Sequence, residues 1–378
     1  MDEFSHAPSD IGKDGRYHVV RAFGRYGRVK MAYDRKDKKL VAIRFIERKS
    51  ETNLDYIQRE ILSRRALFHH HIIRFHEVFL SPDALCIVMG YAPGGTLLDF
   101  VTQHRYLNED WARRFFQQLI IAVAYNQHRD VTMNAIRLDK LVLNGNQQMI
   151  SLCDMNLKGA FDSPPAFSAK NPYSPPEIEP GYPKPIDTKK RDVFCCGVCL
   201  YYMLFGQFPS IGKPGMLRTP EHLKRTESKT NLSPDCTNFL SWILNADPQQ
   251  RPTVDEIIQC PWFQKDLPEG TEEYNERLKD VREDVIEAAF GLQSKSEIRS
   301  VIRRASANRK EPTESFKCGR NEDSGLYRWI QRSGCSLKCR FMSQLQSKEN
   351  KHNYCVSAVQ RVRKSISRTQ RLVQLVSY

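Results

Sequence analysis

Between Tyr17 and Ile46 the chain alternates apolar and polar positions with a period of two. YHVVRAF, GRVKMAYD and KLVAIRFI carry β-branched or aromatic residues at alternate places, with a polar turn at Arg35–Lys39, so a three-stranded meander is expected. The period changes to that of a helix around Tyr56–Leu67. It returns to strand in IIRFHEVFL and ALCIVMGY, two apolar runs split by Ser81-Pro82-Asp83. From Thr96 helical spacing dominates, most clearly over Ala112–Tyr125. LDKLVLNGNQQMISLC then predicts a hairpin turning at Asn144-Gly145. Proline-rich text from Ser163 to Pro185 predicts an irregular segment, and helices are expected again over Asp192–Phe205, Phe239–Asn245 and Thr253–Cys260. The fold class is α+β, a small β-rich lobe followed by a larger, mainly helical one. No internal repeat is visible.

Composition narrows the class without naming it. The chain is 40% hydrophobic and 27% charged, which suits a globular protein and argues against a fibre or a disordered chain. There is no run of about 18 apolar residues, and the start lacks the basic head and apolar run of a secretory signal. The expected location is intracellular, in cytoplasm or nucleus. Cys195, Cys196 and Cys199 fall within the apolar run VFCCGVCLYYMLF instead of at paired metal-ligand spacing, and are expected as reduced core thiols. The net charge is +14, and residues 291–378 hold 19 Lys and Arg against 6 Asp and Glu, a surplus of 13. The basic character therefore belongs to the C-terminal stretch. It would suit an acidic partner or acidic lipid, solvated surface charge being the alternative, and it points to no specific nucleic acid.

FGRYGRV at Phe23–Val29, VAIR at Val41–Arg44, Asp154 after Cys153, and PPE at Pro175–Glu177, in that order, resemble the landmarks of protein kinases over roughly Tyr17–Phe263. Ala22-Phe23-Gly24-Arg25-Tyr26-Gly27-Arg28-Val29 resembles the Gly-rich loop with its first Gly missing, and Val41-Ala42-Ile43-Arg44 the strand that carries the phosphate-binding Lys. Gln58-Arg59-Glu60-Ile61 is similar to the helix that supplies the Glu partner of that Lys, and Met89-Gly90-Tyr91-Ala92 stands where the hinge belongs. Cys153-Asp154-Met155-Asn156 replaces DFG, Pro175-Pro176-Glu177 replaces APE, and Asp192-Val193-Phe194-Cys195-Cys196-Gly197 resembles the start of the helix that follows. Finer wording, EIL…LFHHHIIRFHEVFLSPDALCIVMGYAPGG and RRFFQQLI, resembles the plant stress-activated kinases of the second sucrose-non-fermenting-related subfamily. Gln293–Ala305 resembles the regulatory helix that follows the kinase domain there. The implied layout is an N-terminal tail (1–16), an N-lobe (17–92), a C-lobe (93–263), a regulatory helix region (264–307) and a basic tail (308–378). The regulatory helix is expected on the small lobe. In the tail, Val356, Val359, Ile366, Val373 and Val376 share one helical face with arginines between them, a basic amphipathic pattern to which no role is assigned.

Kinase chemistry consists of positioning and charge neutralisation: a Lys and a Gly-rich loop hold phosphates, carboxylate and amide ligands hold magnesium, and an Asp takes the substrate's hydroxyl proton. A literal His128-Arg129-Asp130 is present, but Asp130 is followed at the two diagnostic offsets by Thr132 and Ala135, where Lys and Asn are required. In the resembled subfamily the catalytic Asp stands 18 places after the first Gln of the FFQQL motif, here Gln117, which puts Ala135 at the catalytic position. Arg137 then replaces the catalytic-loop Lys, and Lys140 replaces the metal-binding Asn. Asn134 replaces the Arg before the catalytic Asp, and Lys170 lies near the usual activation-loop Thr, so docking and phosphorylation there are both lost. By the same resemblance Lys140 would pair with Asp154 and take the metal's place, while Arg44 would keep a charge that Glu60 could bind. Met133 and Met155 keep apolar groups in the packing column.

Gly24, Gly27, Val29, Ala42, Arg44, Glu60, Tyr91, Ala92, Val142 and Asp154 would bind the nucleotide, with Val29, Ala42 and Val142 around adenine. Glu177, Asp192 and Arg251 would be architectural, Glu177 pairing with Arg251. ATP binding is expected to be weak, and magnesium, which Asp154 alone could hold, is in doubt. Three functions stay open: a catalytically impaired pseudokinase acting as scaffold or regulator, an active Ser/Thr kinase that uses Asp130 or Asp139, and a nucleotide-binding switch without transfer. Related kinases or phosphatases are the partners implied by resemblance.

Overall fold

The computed structural model describes residues 10–23, 28–48, 53–131, 133, 136–153, 171–178, 186–209 and 232–307. The chain divides into two compact units, residues 1–287 with 292–309, and residues 288–291 with 310–378. Of the second, Ala288–Gly291 are described; the basic tail and its amphipathic pattern lie outside the described residues.

Strands β1 (Asp10–Ile11), β2 (Tyr17–Phe23), β3 (Val29–Asp34), β4 (Lys39–Glu47), β5 (Phe75–Leu80) and β6 (Ala84–Gly90) form one sheet in the order β1-β2-β3-β4-β6-β5. The expected meander is β2–β4. The tail expected over residues 1–16 is corrected in part: Asp10 and Ile11 pair antiparallel with His18 and Tyr17. This end is held by charge as well as by backbone pairing. Arg16 forks onto Asp34 at 2.9 and 2.7 Å, and the Tyr17 hydroxyl donates to Glu77 on β5 at 2.6 Å. The Tyr17 and Phe79 rings stack at 5.5 Å. Since β5 is the far edge of the sheet, these contacts show that the sheet curls until its two ends meet.

Alternation along β4 places Val41 and Ile43, both fully buried, under the outer layer with Tyr17, Cys86 and Val88. The opposite face meets helix α1 (Leu54–Arg64), which starts at Asn53, whose side chain accepts the Tyr56 amide. Leu54, Ile57 and Ile61 pack there against Phe75, Leu85 and Ile87.

The second lobe is built on α3 (Glu109–His128) and α4 (Thr188–Phe205), after the shorter α2 (Leu97–His104). α4 is apolar nearly all round and is buried accordingly, with Cys195, Cys196 and Cys199 inside it. Burial pushes the Cys195 thiol up to about 12, so these thiols are inert core groups. α4 begins earlier than expected because Asp187 caps it, accepting the amides of Lys189 and Lys190. It ends at Gly206 with φ 66, where a Cβ would stand 1.9 Å from the Arg105 carbonyl oxygen, so only glycine fits. The small hairpin is β7 (Leu141–Leu143) and β8 (Ile150–Leu152). Its loop is wider than an Asn-Gly turn: the Asn144 side chain accepts the amides of Gln148 and Met149, so the chain reverses over six residues.

Then follow α5 (Pro234–Ile243), α6 (Val254–Ile258), α7 (Pro261–Gln264), α8 (Thr271–Lys279), α9 (Glu283–Phe290) and α10 (Lys295–Ala307). As expected from the resemblance, α10 lies on the small lobe. Ile298, Val301, Ile302 and Ala305 join the α1 core. At roughly 1.5–3 kcal/mol per fully buried aliphatic side chain, its three large residues contribute about 5–9 kcal/mol as an upper bound. Gln293, just before α10, binds the edge strand β5 with both ends of its amide, accepting from the Val78 N–H at 2.8 Å and donating to the Val78 carbonyl at 2.9 Å. Among the described residues no helix is long and apolar enough to cross a membrane.

Candidate functional site

Strand register assembles the upper wall of a cleft. Val29 sits opposite Arg44, and Ala42 lies between Met31 on one side and Met89 on the other. Val29, Ala42 and Arg44 therefore share one face, each half-buried, while their neighbours Val41 and Ile43 point into the outer core. At the end of β6 comes Tyr91, stacked on Phe23 with ring centroids 6.0 Å apart and pushed up in pKa by burial. Ala92 follows it. The lower wall is β7, where Val142 is half-buried between fully buried Leu141 and Leu143 and bridges to Thr96. Gly94, in the loop after β6, lies against β7. Its N–H donates to the Leu143 carbonyl at 2.8 Å, and a Cβ there would fall 2.2 Å from the Asn144 carbonyl oxygen.

Ala135 and Asp154, expected at the general-base and metal-ligand positions, lie outside the described residues, as do Gly24, Gly27, Asn134, Met155 and Lys170. Their neighbours are fixed. The Met133 N–H donates to the buried carboxylate of Asp192 at 2.8 Å, and Asp192 is also 3.3 Å from the Arg191 guanidinium. Leu138 N–H donates to the Tyr173 hydroxyl at 3.2 Å, and the Cys195 thiol donates to the Tyr173 carbonyl at 3.3 Å. Lys140 ends a short 3₁₀ turn (Leu138–Lys140), and its carbonyl accepts the Cys153 N–H at 2.7 Å. Arg137 is 2.8 Å from Asp139, with its guanidinium over the Tyr173 ring.

The literal His-Arg-Asp is elsewhere. His128 is the last residue of α3, and Arg129 caps that helix while donating to the carbonyls of Leu278 and Val281 near the end of α8. Asp130 has φ 54 and a side chain 93% exposed, with Lys189 3.9 Å away. It is a surface turn.

Glu177 and Arg251 form a bidentate pair at 2.7 and 3.0 Å, both essentially without solvent. Arg251 also donates to the carbonyls of Asn245 and Lys190 and lies over the Phe194 ring at 4.8 Å. With every donor engaged, this is the kind of buried pair that repays its desolvation.

One residue of the cleft went unnoticed in the sequence. Arg64 places Nη1 2.7 Å from Glu60 Oε2, and both are buried. The signal was present in the spacing, since residues four apart on a helix are neighbours.

A family model described as the protein kinase domain matches residues 18–263, and the chain belongs to that family. Within it, the chain is related to the plant stress-activated serine/threonine kinases of the second sucrose-non-fermenting-related subfamily. Serine/threonine-protein kinase SAPK3 of Oryza sativa is 35% identical over 307 residues, 77% of this chain and 89% of the relative. Serine/threonine-protein kinase SRK2D of Arabidopsis thaliana is 36% identical over 266 residues, 67% of this chain and 73% of the relative. An abscisic acid-inducible protein kinase of Triticum aestivum is 35% identical over 272 residues, 68% and 80% of the two chains. Among solved structures, Rad53 residues 1–466 in complex with AMP-PNP gives a TM-score of 0.55 at 21% identity, covering 66% of each chain, a likeness of fold.

Proposed function

We propose that this chain is a catalytically impaired protein kinase homologue that serves as a scaffold or regulator in stress or hormone kinase signalling. The hydrogen bond from Met133 N–H to Asp192 carries the reading. It anchors the start of the catalytic loop at Met133, and counting from there makes Ala135 the residue at the general-base position and Lys140 the one at the metal-ligand position. A methyl group accepts no proton, and a general base typically contributes 10²–10⁴-fold, about 3–5 kcal/mol of barrier. An ammonium at the second position repels a metal ion where an amide oxygen would bind one.

The reading of an active kinase with displaced residues has less support. Asp130 is a surface residue beyond the end of α3, and Asp139 is held by Arg137. Nucleotide binding without transfer keeps the support of the apolar walls, Val29 and Ala42 above and Val142 below. The donor set gives magnesium little to bind, since of the two expected ligand positions Asp154 offers a carboxylate and Lys140 an ammonium. Related kinases or phosphatases are the proposed partners, in line with the stress-kinase character of the relatives.

A thermal-shift titration with ATP, with and without magnesium, tests this on the intact chain and on Ala135→Asp combined with Lys140→Asn. The wild type is expected to show no magnesium-dependent shift and the double variant to gain one. A magnesium-enhanced shift in the wild type, together with transfer of labelled phosphate to a peptide, would sink the proposal.

A further inference from the structure

Two consecutive arginines close α1, and both are buried, Arg64 at 6% exposure and Arg65 at 1%. Taking a guanidinium out of water costs several kcal/mol unless anions and acceptors meet its donors, so each needs its own partners. They find them in different places. Arg65 Nη2 lies 2.9 Å from Glu283 and 2.5 Å from Glu287, and Nη1 donates to the Gln293 carbonyl at 2.9 Å. Arg64 reaches Glu60 instead, one turn earlier on the same helix, and donates to Ser63 Oγ at 3.2 Å.

Arg64 also lines a cavity of about 20 Å³ with Phe75, Met89, Met133, Leu152 and Cys153. One water molecule occupies about 30 Å³ of liquid. The guanidinium therefore borders a small cavity with room for about one water, between the sheet, the start of the catalytic loop and the residue preceding Asp154. An exposed Glu–Arg pair at this spacing is a minor helix stabiliser of about 0.2–0.5 kcal/mol. Burial makes this one different: water screens it little, and removing either charge takes from the other an opposing charge at 2.7 Å.

In an active kinase the helix glutamate is held by the strand lysine, and that pair must be in place for transfer. Here the Glu60 carboxylate has a full positive charge against it from its own helix, whatever else it binds. We infer that Arg64 is a positioning residue that holds Glu60 and seats α1 against the sheet and the catalytic-loop strand without help from nucleotide or metal. The inference deepens the impaired-kinase reading and rests on it for its meaning: α1 keeps its seated position as a fixed surface and does not report on cleft occupancy.

Hydrogen exchange of the α1 amides tests it on the full chain, for wild type, Arg64→Met and Arg64→Lys. Without any nucleotide, Arg64→Met is expected to speed exchange over Leu54–Arg64 at least tenfold while α3 and α4 keep wild-type rates, and Arg64→Lys, which keeps the cation, is expected to restore most of the protection. In the wild type, millimolar ATP should leave α1 exchange unchanged. Wild-type α1 rates in Arg64→Met, or an equal rise in α3 and α4, would overturn the inference, as would ATP slowing α1 exchange in the wild type. Should Arg64→Met fail to fold, Glu60→Gln removes the same charge pair with little change of shape and should give the same local loss. Phosphate transfer measured on the same wild-type sample separates the two claims, since activity there would sink the impaired-kinase reading while the nucleotide-free exchange result stands by itself.

Discussion

Acidification from pH 7.5 to 5.5 should cost this protein much of its stability through histidines that fold in the neutral form. Burial pushes His71 down to about 4, although its Nδ1–H donates to the Ile150 carbonyl at 2.9 Å. His76 is pushed down to about 3, first by burial and then by Lys39 and Arg74. In the unfolded chain both titrate near 6.5. A folded value below the unfolded one means that the unfolded state binds more protons as the pH falls. The contribution is therefore complete above about pH 6.5 and is lost progressively towards the folded values. At pH 5.5 an unfolded histidine is about nine-tenths protonated and these two are nearly neutral when folded, so each costs about 1.3 kcal/mol relative to pH 7.5, about 2.7 kcal/mol together. His69 and His70, also lowered by burial, act in the same direction. Urea unfolding at the two pH values and one ionic strength, followed by tryptophan fluorescence, reads the difference. His76→Gln should flatten the pH dependence by about 1.3 kcal/mol. If its loss between pH 7.5 and 5.5 equals that of the wild type, His76 is not held neutral and the reasoning fails.

Other outcomes can be measured on the same material. Arg251→Met leaves the Glu177 carboxyl without its cation in the core, and should cost about 3–5 kcal/mol in urea unfolding; a loss under 1 kcal/mol would mean that the carboxyl finds water. Glu109→Ala removes the acceptor for Ser233, Trp262 and Arg113 at the start of α3, and should lower stability by about 2–4 kcal/mol, most visibly at low salt. Gln293→Ala deletes two hydrogen bonds to Val78 and should cost about 1–3 kcal/mol, with faster exchange confined to β5 and α10. Asp130→Asn should leave both the melting temperature and any residual phosphate transfer unchanged; a fall in transfer would restore Asp130 as a catalytic residue.

The small lobe was legible because strand alternation and β-branched residues coincide over β2–β4 and because α1 has a clean apolar stripe. The short β1 was not, since two residues carry no periodicity and the strand is held by pairing with Tyr17 and His18 and by the contacts of Asp10 with His18 and Arg35, the latter 25 residues away in the chain. Asn144-Gly145 marked the hairpin correctly but not its loop, whose width comes from a side-chain cap that a turn dipeptide does not reveal. At the candidate site, the order of motifs pointed to β3, β4 and β7, and spacing set aside the literal His128-Arg129-Asp130, whose Asp130 is an exposed turn residue after α3. Spacing placed Arg64 one turn from Glu60 but did not single it out. A basic residue on a helix is usually solvated, and only the packing of Met89, Met133 and Cys153 around it shows that this one is not.

The Gln293 amide has a consequence for the molecule among its neighbours. β5 ends the sheet, and an unpaired sheet edge is a template on which another chain can add a strand. By offering one acceptor and one donor in the spacing of a backbone peptide, Gln293 occupies the middle of that edge, and α10 then packs alongside it. A single side chain thus does the work of a seventh strand. A chain shortened ahead of Gln293 would uncover that edge and the apolar face of α1 together, and self-association would compete with folding from the first moments after synthesis.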